Sequence, residues 1–346
     1  MSVAVGSDRF LRACRLQPVD RTPVWFMRQA GRSQGEYRAL RERYTLLEIC
    51  RHPELVAEVT LRPVQQLGVD AAVLFADITL PLEGIGVGFD LEDGRGPRIH
   101  EPIRDEGQVM ALETFAPTPT VDAVLEGIRL ARAASSVPVI GFAGAPFTMA
   151  SYLVEGGPSR EFLRTKALMS RRPDAWSALL GRLAEMTAAY LHLQVSAGVQ
   201  AVQLFDSWVG CLSPSDYSAF AAPFTRRVID RIVPLGVPVI HFGINTAGLL
   251  PLMAAAGGHV IGVDWRITLD DAWSRIGPSR GIQGNLDPAV LLAEPAVIES
   301  RAAAVLAQAA GRPGHVFNLG HGVLPETPQD HLKRLVEFVH AQEVRV

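Results

Sequence analysis

The stretch PVWFMRQAGR, residues 23–32, sets a short apolar run directly before two arginines, a glutamine and two small residues. Five continuous apolar residues, 23–27, are typical of a parallel strand that is buried on both faces. Arg28, Gln29 and Arg32 would then bring positive charge and hydrogen-bonding groups to one end of a sheet. The stretch therefore predicts a buried strand whose carboxyl end holds an anion.

Seven further apolar runs repeat this arrangement along the chain. They read AAVLFA before Asp77, PVIGFAG before Ala145, AVQLF before Asp206, PVIHFG, HVIGV before Asp264, GIQGN, and HVFNLG before His321. Helical patterns such as PELVAEVTLRPVQQLG separate the runs, and several end in glycine, which is typical of a left-handed C-cap. Eight buried strands that alternate with helices predict one α/β domain, a (β/α)8 TIM barrel spanning residues 1–346.

A doubly wound open sheet is the alternative architecture. It is disfavoured because no GxGxxG follows the first strand, and GIGVG at residues 84–88 has the wrong spacing. In a barrel, the loops at the carboxyl ends of the strands build the site, and the longer insertions of this chain follow the first three strands.

Composition excludes several classes of function. The chain has 346 residues, 48% of them hydrophobic, and a net charge of −3, so no global basic field favours nucleic acid. Its two lysines, Lys166 and Lys333, lie in helical patterns that do not suit Schiff-base catalysis. The three cysteines, Cys14, Cys50 and Cys211, are too scattered for a disulfide framework.

The N-terminal sequence MSVAVGSDRFLRAC lacks the pattern of a signal peptide, and no apolar run approaches the roughly 18 residues of a membrane helix. A soluble, cytoplasmic protein without a membrane partner is therefore expected.

Polar residues at strand ends are the candidates for chemistry. They are Arg28, Gln29, Arg32, Asp77, Asp206, Ser207, His241, Asp264, Gln283, Asn285 and His321. A helix starting at Arg28 would place Arg28 and Arg32 on one face as an anion clamp, whereas a salt bridge to Glu36 is the alternative. The clamp is favoured because the small residues between the arginines let a ligand approach the backbone.

Each of the other candidates has both a structural and a functional interpretation. Asp77 is either a helix N-cap or a carboxylate that meets positive charge on a ligand. Asp206 with Ser207 is better explained as an N-cap pair, and His241 and His321 as core histidines unless they act as general acids or zinc ligands. No HxH, HExxH, CxxC or GxSxG motif occurs, which argues against a metal hydrolase and a serine hydrolase.

Seven motifs together resemble the uroporphyrinogen decarboxylase family over essentially the whole chain. In order, they are PVWFMRQAGR, LFADI, GAPFTMASYLVEGG, QLFDSW, GVDW, QGNLDP and NLGHGVLPETP. The resemblance implies a single-domain barrel, usually a homodimer, that works without metal or organic cofactor. It also implies a carboxy-lyase of heme biosynthesis, which removes the four acetate carboxylates of uroporphyrinogen III to give coproporphyrinogen III.

The resemblance also implies a site in this chain. Its substrate-binding residues would be Arg28, Gln29, Ala30, Gly31, Arg32, Leu46, Asp77, Tyr152, Ser207 and His321. The arginines and the glutamine would bind carboxylates and Asp77 the pyrrole N–H groups, with Asp77 and Arg28 as the catalytic pair. The chain departs from the family at Ser33, Gln34 and Gly35, where Tyr-Leu-Pro is common, and at Leu46, where phenylalanine is common.

Two competing functions remain. Related cobalamin-dependent methyltransferases resemble the same barrel but bind zinc through a His-x-Cys strand end and a later cysteine. This chain has His241, Phe242 and Gly243 at the first of these places and His321 near the second, so both thiols are missing. The other alternative is a porphyrin carrier that binds through Asp77 and the arginines without turnover.

Overall fold

The structure, a computed structural model, describes residues 8–92 and 94–342. The predicted domain bounds, 1–346, and half of the N-terminal segment examined for a signal peptide lie outside the described residues. The strands of the described part are β1 (Ala72–Val73), β2 (Phe89–Glu92), β3 (Gly96–Ile99), β4 (Val139–Gly144), β5 (Ala201–Asp206), β6 (Val239–Gly243), β7 (Val260–Gly262), β8 (Gly281–Leu286) and β9 (His315–Leu319).

Helices fill the connections between the strands. They are α1 (Arg9–Cys14), α2 (Gly35–Arg41), α3 (Leu46–Cys50), α4 (Pro53–Leu67), α5 (Glu106–Ala111), α6 (Pro119–Ala134), α7 (Pro146–Glu155), α8 (Leu163–Arg171), α9 (Pro173–Ala197), α10 (Pro214–Phe220), α11 (Ala222–Ile232), α12 (Leu250–Ala256), α13 (Leu269–Ile276), α14 (Pro295–Ala309) and α15 (Gln329–Ala341). Short 3-10 helices occupy Leu80–Ile85, Val209–Cys211, Val233–Leu235 and Pro288–Leu292. Helices α4, α7 and α9 each begin with proline and end at a left-handed glycine, as the sequence pattern predicts.

Seven strands form one parallel sheet in the order β1-β4-β5-β6-β7-β8-β9. The order follows the chain without a reversal, whereas a doubly wound sheet reverses at a switch point. The doubly wound alternative is therefore wrong, and the mixed α/β class is confirmed. Strands β2 and β3 form a separate antiparallel hairpin that the apolar runs did not predict.

The first apolar run, residues 23–27, is reduced to one parallel bridge between Val24 and Phe317. Phe317 N donates to Pro23 O at 2.9 Å, and Asp70 N donates to Val24 O at 2.7 Å, so the run lies between β9 and the start of β1. Side chains accept hydrogen bonds that backbone carbonyls would accept in a regular strand. Val24 N donates to Asp70 Oδ2 at 2.7 Å, and Phe26 N donates to Gln29 Oε1 at 3.0 Å.

The sheet is strongly curved. Gln283 on β8 donates from Nε2 to Oε1 of Gln203 on β5 at 2.8 Å. These strands stand three places apart in the sheet, which in a flat sheet would separate them by roughly 14 Å. Trp25 Nε1 also donates to Gln283 Oε1 at 3.0 Å, so residues from three parts of the sheet meet on its concave side.

None of the helices within residues 8–92 and 94–342 combines the length and apolar character needed to span a bilayer. The 25-residue α9 is long enough but carries Asp174, Arg182 and Glu185.

Candidate active site

A cleft of about 510 Å³ opens at the carboxyl ends of the sheet strands. Its lining includes the following predicted residues: Arg28, Ala30, Gly31, Arg32, Leu46, Asp77, Tyr152, Ser207 and His321. These nine residues lie together because the loops that follow parallel strands all start at the carboxyl edge of the sheet.

Three phenylalanines form an apolar surface of the cleft. Phe142, Phe205 and Phe242 come from the adjacent strands β4, β5 and β6 and line the cleft. The ring centroids of Phe142 and Phe205 are 5.5 Å apart, and those of Phe205 and Phe242 are 5.8 Å apart, both edge to face. This packing gives a flat organic ring an apolar contact surface.

The charged lining is mostly positive. The arginines of the cleft are Arg28, Arg32, Arg41 and Arg95, and the carboxylates of its described lining are Asp77 and Glu92. Within residues 8–92 and 94–342, neither Arg28 nor Arg32 forms an ion pair. Their guanidinium groups are therefore free to bind a carboxylate.

Arg28 lies in a tight loop and not in a helix. Its φ of 63° is left-handed, which a helix starting at this residue does not allow, and α2 begins only at Gly35. The predicted helix that would carry both arginines is therefore wrong. Val323 N donates to Met27 O at 2.8 Å and ties this loop to the one containing His321.

The stem of Arg28 packs directly on Gly322. A Cβ at Gly322 would lie 2.5 Å from Cδ and 2.8 Å from Cγ of Arg28. The glycine in the predicted NLGHG motif therefore makes room for the arginine stem.

Asp77 serves the fold and the cleft at once. Its Oδ1 accepts hydrogen bonds from Thr79 N at 2.9 Å and from Thr79 Oγ1 at 2.5 Å, which holds the turn before the 3-10 helix Leu80–Ile85. Oδ2 accepts none from the part of the chain that the structure describes. One carboxylate oxygen is thus fixed by the protein, while the other is available to a ligand.

Tyr152 lies on α7 and stacks against Trp208, with ring centroids 4.0 Å apart. Burial, followed by the nearby Asp77 carboxylate, raises the pKa of the Tyr152 phenol, while Arg28 lowers it. Tyr152 is therefore a neutral hydrogen-bonding group near both predicted catalytic residues. Ser207, next to Trp208, follows β5 directly.

His321 is also neutral at pH 7. Burial, and then the positive charge of Arg28, lowers the pKa of the imidazole from 6.5 to about 4, although Asp264 opposes the shift. A neutral imidazole beside Arg28 leaves the positive charge of this part of the cleft on the guanidinium.

Gln29 is the predicted site residue that does not line the cleft. Its side chain is fully buried, with Oε1 accepting from Phe26 N at 3.0 Å and Nε2 donating to Ala71 O at 2.9 Å. The amide thus joins the first apolar run to the segment entering β1.

Five other strand-end candidates are buried outside the cleft lining: Asp206, His241, Asp264, Gln283 and Asn285. Asp206 accepts from Thr148 of α7 at 3.3 Å and from Thr225 of α11 at 3.4 Å, so it lies between the sheet and the helices. Asn285 Nδ2 donates to Asp264 O at 2.9 Å, which holds the loop after β7.

Sequence reasoning missed Arg41, Arg95 and Trp208. Arg95 lies between two glycines in the sequence DGRG, a turn signal of the kind that joins hairpin strands. Nothing local in the sequence indicates that this hairpin lies over the cleft. Arg41 ends α2, and Trp208 stood inside the quoted QLFDSW motif without a predicted role.

In the described part of the chain, no three or more histidine, cysteine, aspartate or glutamate side chains are grouped so that they could hold a metal ion. His241 is fully buried, with Nε2 3.6 Å from Asp206 Oδ2.

Solved structures show what the fold is similar to. A methyltransferase from Methanosarcina mazei superposes with a TM-score of 0.79 at 22% identity, covering 96% of this chain and 97% of that one. A B12-independent methionine synthase from Shewanella sp. W3-18-1 superposes with a TM-score of 0.58 at 10% identity, covering 83% and 87%. Identities this low establish the fold alone.

Curated relatives are much closer in sequence. A uroporphyrinogen decarboxylase of Sorangium cellulosum is 57% identical over 336 residues, 96% of each chain. One of Streptomyces coelicolor is 54% identical over 342 residues, 99% of this chain and 96% of the relative. The family model described as uroporphyrinogen decarboxylase (URO-D) matches residues 6–342. With these matches over nearly its full length, the chain belongs to the uroporphyrinogen decarboxylase family.

Proposed function

We propose that this protein decarboxylates uroporphyrinogen III, converting its four acetate side chains to methyl groups and releasing coproporphyrinogen III. The observation that carries the proposal is the Asp77 carboxylate, whose Oδ2 accepts no hydrogen bond from the described residues, in a cleft whose other described charged side chains are four arginines and Glu92. A ring of pyrroles bearing eight carboxylates has the opposite pattern, N–H donors at its centre and negative charge around its edge. The close relatives named uroporphyrinogen decarboxylase support the same substrate.

Asp77 binds the pyrrole N–H groups through its free oxygen, while Arg28 and Arg32 bind carboxylates. The faces of the pyrroles pack on Phe142 and Phe205. A net-acidic chain binds such a polyanion only by concentrating arginines locally, which the lining of the cleft provides.

The reaction exchanges carbon dioxide for a proton. Protonation of a pyrrole carbon beside the acetate gives a cationic ring, which accepts the electron pair of the breaking carbon–carboxylate bond. A second proton then adds to the exocyclic carbon and the first one leaves the ring, so that CH2–COO⁻ plus H⁺ becomes CH3 plus CO2. The ring is its own electron sink, and the chemistry therefore requires no metal or organic cofactor.

Asp77 stabilises the cationic ring. A carboxylate about 4 Å from the positive charge contributes roughly 4 kcal/mol at an effective dielectric constant near 20. Arginine is too weak an acid to be an efficient proton donor. Arg28 is therefore assigned the other role open to it, which is to bind the carboxylate of the reacting acetate. Water delivers the proton in this scheme.

We also propose that the sheet closes as a single (β/α)8 barrel, with residues 23–27 as its eighth strand. The hydrogen bonds of this run to Phe317 on one side and to Asp70 on the other support closure, and so does the contact of Gln203 with Gln283 across the concave side. The resemblance of the whole chain to the family supports one domain over residues 1–346, a homodimer and a cytoplasmic location.

Incubation with uroporphyrinogen III under anaerobic, reducing conditions tests the function, with carboxylates counted in the products by mass spectrometry. We expect seven-, six-, five- and finally four-carboxylate porphyrinogens. Tight binding without loss of carboxylates would show a carrier.

Removal of metal by a chelator distinguishes the proposed decarboxylase from the alternative of a zinc-dependent methyltransferase. Turnover should be unchanged after exhaustive chelation, and elemental analysis should find no stoichiometric zinc. Activity that is lost to the chelator and restored by zinc would contradict the proposed mechanism.

A further inference from the structure

The hairpin of β2 and β3 contributes one side of the cleft. Leu91, Glu92, Arg95 and Pro97 from this hairpin all line it. Four paired positions, from Phe89↔Ile99 to Glu92↔Gly96, define the hairpin.

The hairpin is fixed against the end of α7, the helix that carries Tyr152. Ile99 N donates to Gly156 O at 2.9 Å, and a Cβ at Gly157 would lie only 3.0 Å from Pro97 O. The side of the cleft that presents Arg95 is therefore held in place by the helix behind the site.

Arg95 is weakly engaged in the free protein. Its side chain is 84% exposed, and Glu92, at 3.6 Å, is its only ion-pair partner among the described residues. Glu92 is itself bound more closely by Arg98, at 2.6 Å. An exposed ion pair at that distance contributes little to the stability of the protein. A ligand carboxylate can therefore replace Glu92 as the partner of the Arg95 guanidinium at little cost in free energy.

The position of Arg95 complements the other arginines. Arg28, Arg32 and Arg41 all precede β1 in the chain, whereas Arg95 reaches the cleft from the hairpin after it. A substrate with carboxylates all round its edge needs cations on more than one side of the cleft.

We infer that Arg95 binds a carboxylate of the substrate on the hairpin side of the cleft and helps to retain partly decarboxylated intermediates. The inference rests on the proposed function. Each turnover removes one negative charge from the substrate, so later intermediates depend more on every remaining arginine contact.

Arg98 provides a matched control. It lies on the same hairpin and carries the same charge, but it does not line the cleft and pairs instead with Asp90 and Glu92. Arg95→Gln and Arg98→Gln therefore change the net charge equally, and a rise of KM confined to Arg95→Gln reports contact with the substrate.

The experiment measures KM, kcat and product distribution with uroporphyrinogen for the wild type and both variants, with thermal unfolding as the check on folding. We expect Arg95→Gln to raise KM about fivefold, the size typical of an exposed ion pair, and to release more seven-, six- and five-carboxylate products. Its kcat should stay near the wild-type value, and Arg98→Gln should resemble the wild type.

Equal kinetics in the wild type and Arg95→Gln, or equal rises of KM in both variants, would overturn the inference while leaving the proposed function standing. Wild-type protein without turnover would overturn the proposed function and the inference with it.

Discussion

At the scale of single residues, Asp77 is the group on which the proposed chemistry depends most. Asp77→Asn keeps an oxygen for Thr79 to bond but removes the charge opposite the cationic ring. We expect kcat to fall roughly a thousandfold with a much smaller change in KM, because the interaction strengthens in the transition state. Steady-state kinetics measure both constants. A change confined to KM would make Asp77 a binding residue only.

Arg28 and Arg32 line the same cleft but differ in how they are held. Both side chains are exposed, but Arg28 has a left-handed backbone and its stem packs on Gly322. Lysine lacks the planar fork of arginine, so Arg28→Lys should mainly lower kcat and Arg32→Lys should mainly raise KM and release partial products. The same kinetic pattern in both variants would contradict this division, and wild-type kinetics in both would rule out the anion clamp.

Two glycines of the NLGHG motif should respond differently to alanine. A Cβ at Gly320 would lie 2.5 Å from the backbone nitrogen of Trp265, which cannot move cheaply, whereas a Cβ at Gly322 meets the flexible stem of Arg28. Gly320→Ala should therefore lower the melting temperature by several degrees. Gly322→Ala should melt near the wild type but lose kcat, because the guanidinium is displaced. Circular dichroism melts and kinetics together check the pair, and a reversal of the two effects would refute it.

At the scale of elements, the junction between β5 and α7 positions Tyr152. Thr148 Oγ1 donates to Asp206 Oδ1 at 3.3 Å and accepts from Trp208 N at 3.3 Å, and Trp208 stacks on Tyr152. The buried Asp206 therefore supports the cleft through a threonine and a tryptophan, without lining it.

Thr148→Val should cost about 1–3 kcal/mol of unfolding free energy, because it leaves the Asp206 carboxylate less well bonded. It should also raise KM, since Trp208 and Tyr152 lose their support, and Thr148→Ser should restore both properties. Urea unfolding and steady-state kinetics measure the two effects.

Thr187→Val is the control for that variant, because the hydroxyl of this buried threonine bonds, among the described residues, only to Gly144 O, at 3.2 Å, and does not line the cleft. It should lower stability without changing KM. A KM change of the same size in both variants would show that loss of stability alone explains the effect.

At the scale of the whole molecule, two histidines, the buried His315 and the half-buried His321, make stability sensitive to acid. Burial lowers the pKa values of His315 and His321 from 6.5 to about 4. Between those values the unfolded chain binds protons that the folded chain does not, so stability is complete above about pH 6.5 and declines as pH falls towards 4. For the fully buried His315 the loss is at most roughly 3 kcal/mol.

His315→Gln should therefore flatten the dependence of unfolding free energy on pH between 6.5 and 4, even though stability at pH 7 drops from loss of the contact with Gly284 O. Urea unfolding at several pH values measures the slope. Replacement of the exposed His100 by glutamine is the comparison, and an unchanged slope in His315→Gln would contradict the assignment.

Much of this molecule followed from its sequence alone. Seven of the eight apolar runs contain strands of the parallel sheet, because continuous apolar runs between helical patterns are a local signal. The strand-end rule also selected Arg28, Asp77, Ser207 and His321, since parallel strands share one carboxyl end. The motifs indicated the family that the relatives later confirmed.

Only the tertiary structure decided which face each polar residue takes. Apolar residues occupy both faces of β5, so nothing local in the sequence separates Phe205, which lines the cleft, from Asp206, which lies between sheet and helices. The side chain of Gln29 lies outside the cleft because it bonds to Ala71, which is distant in the sequence. Arg95 lines the cleft because its hairpin packs on the end of α7. These contacts join residues far apart in the chain, and they form only when the sheet curves and its helices pack around it.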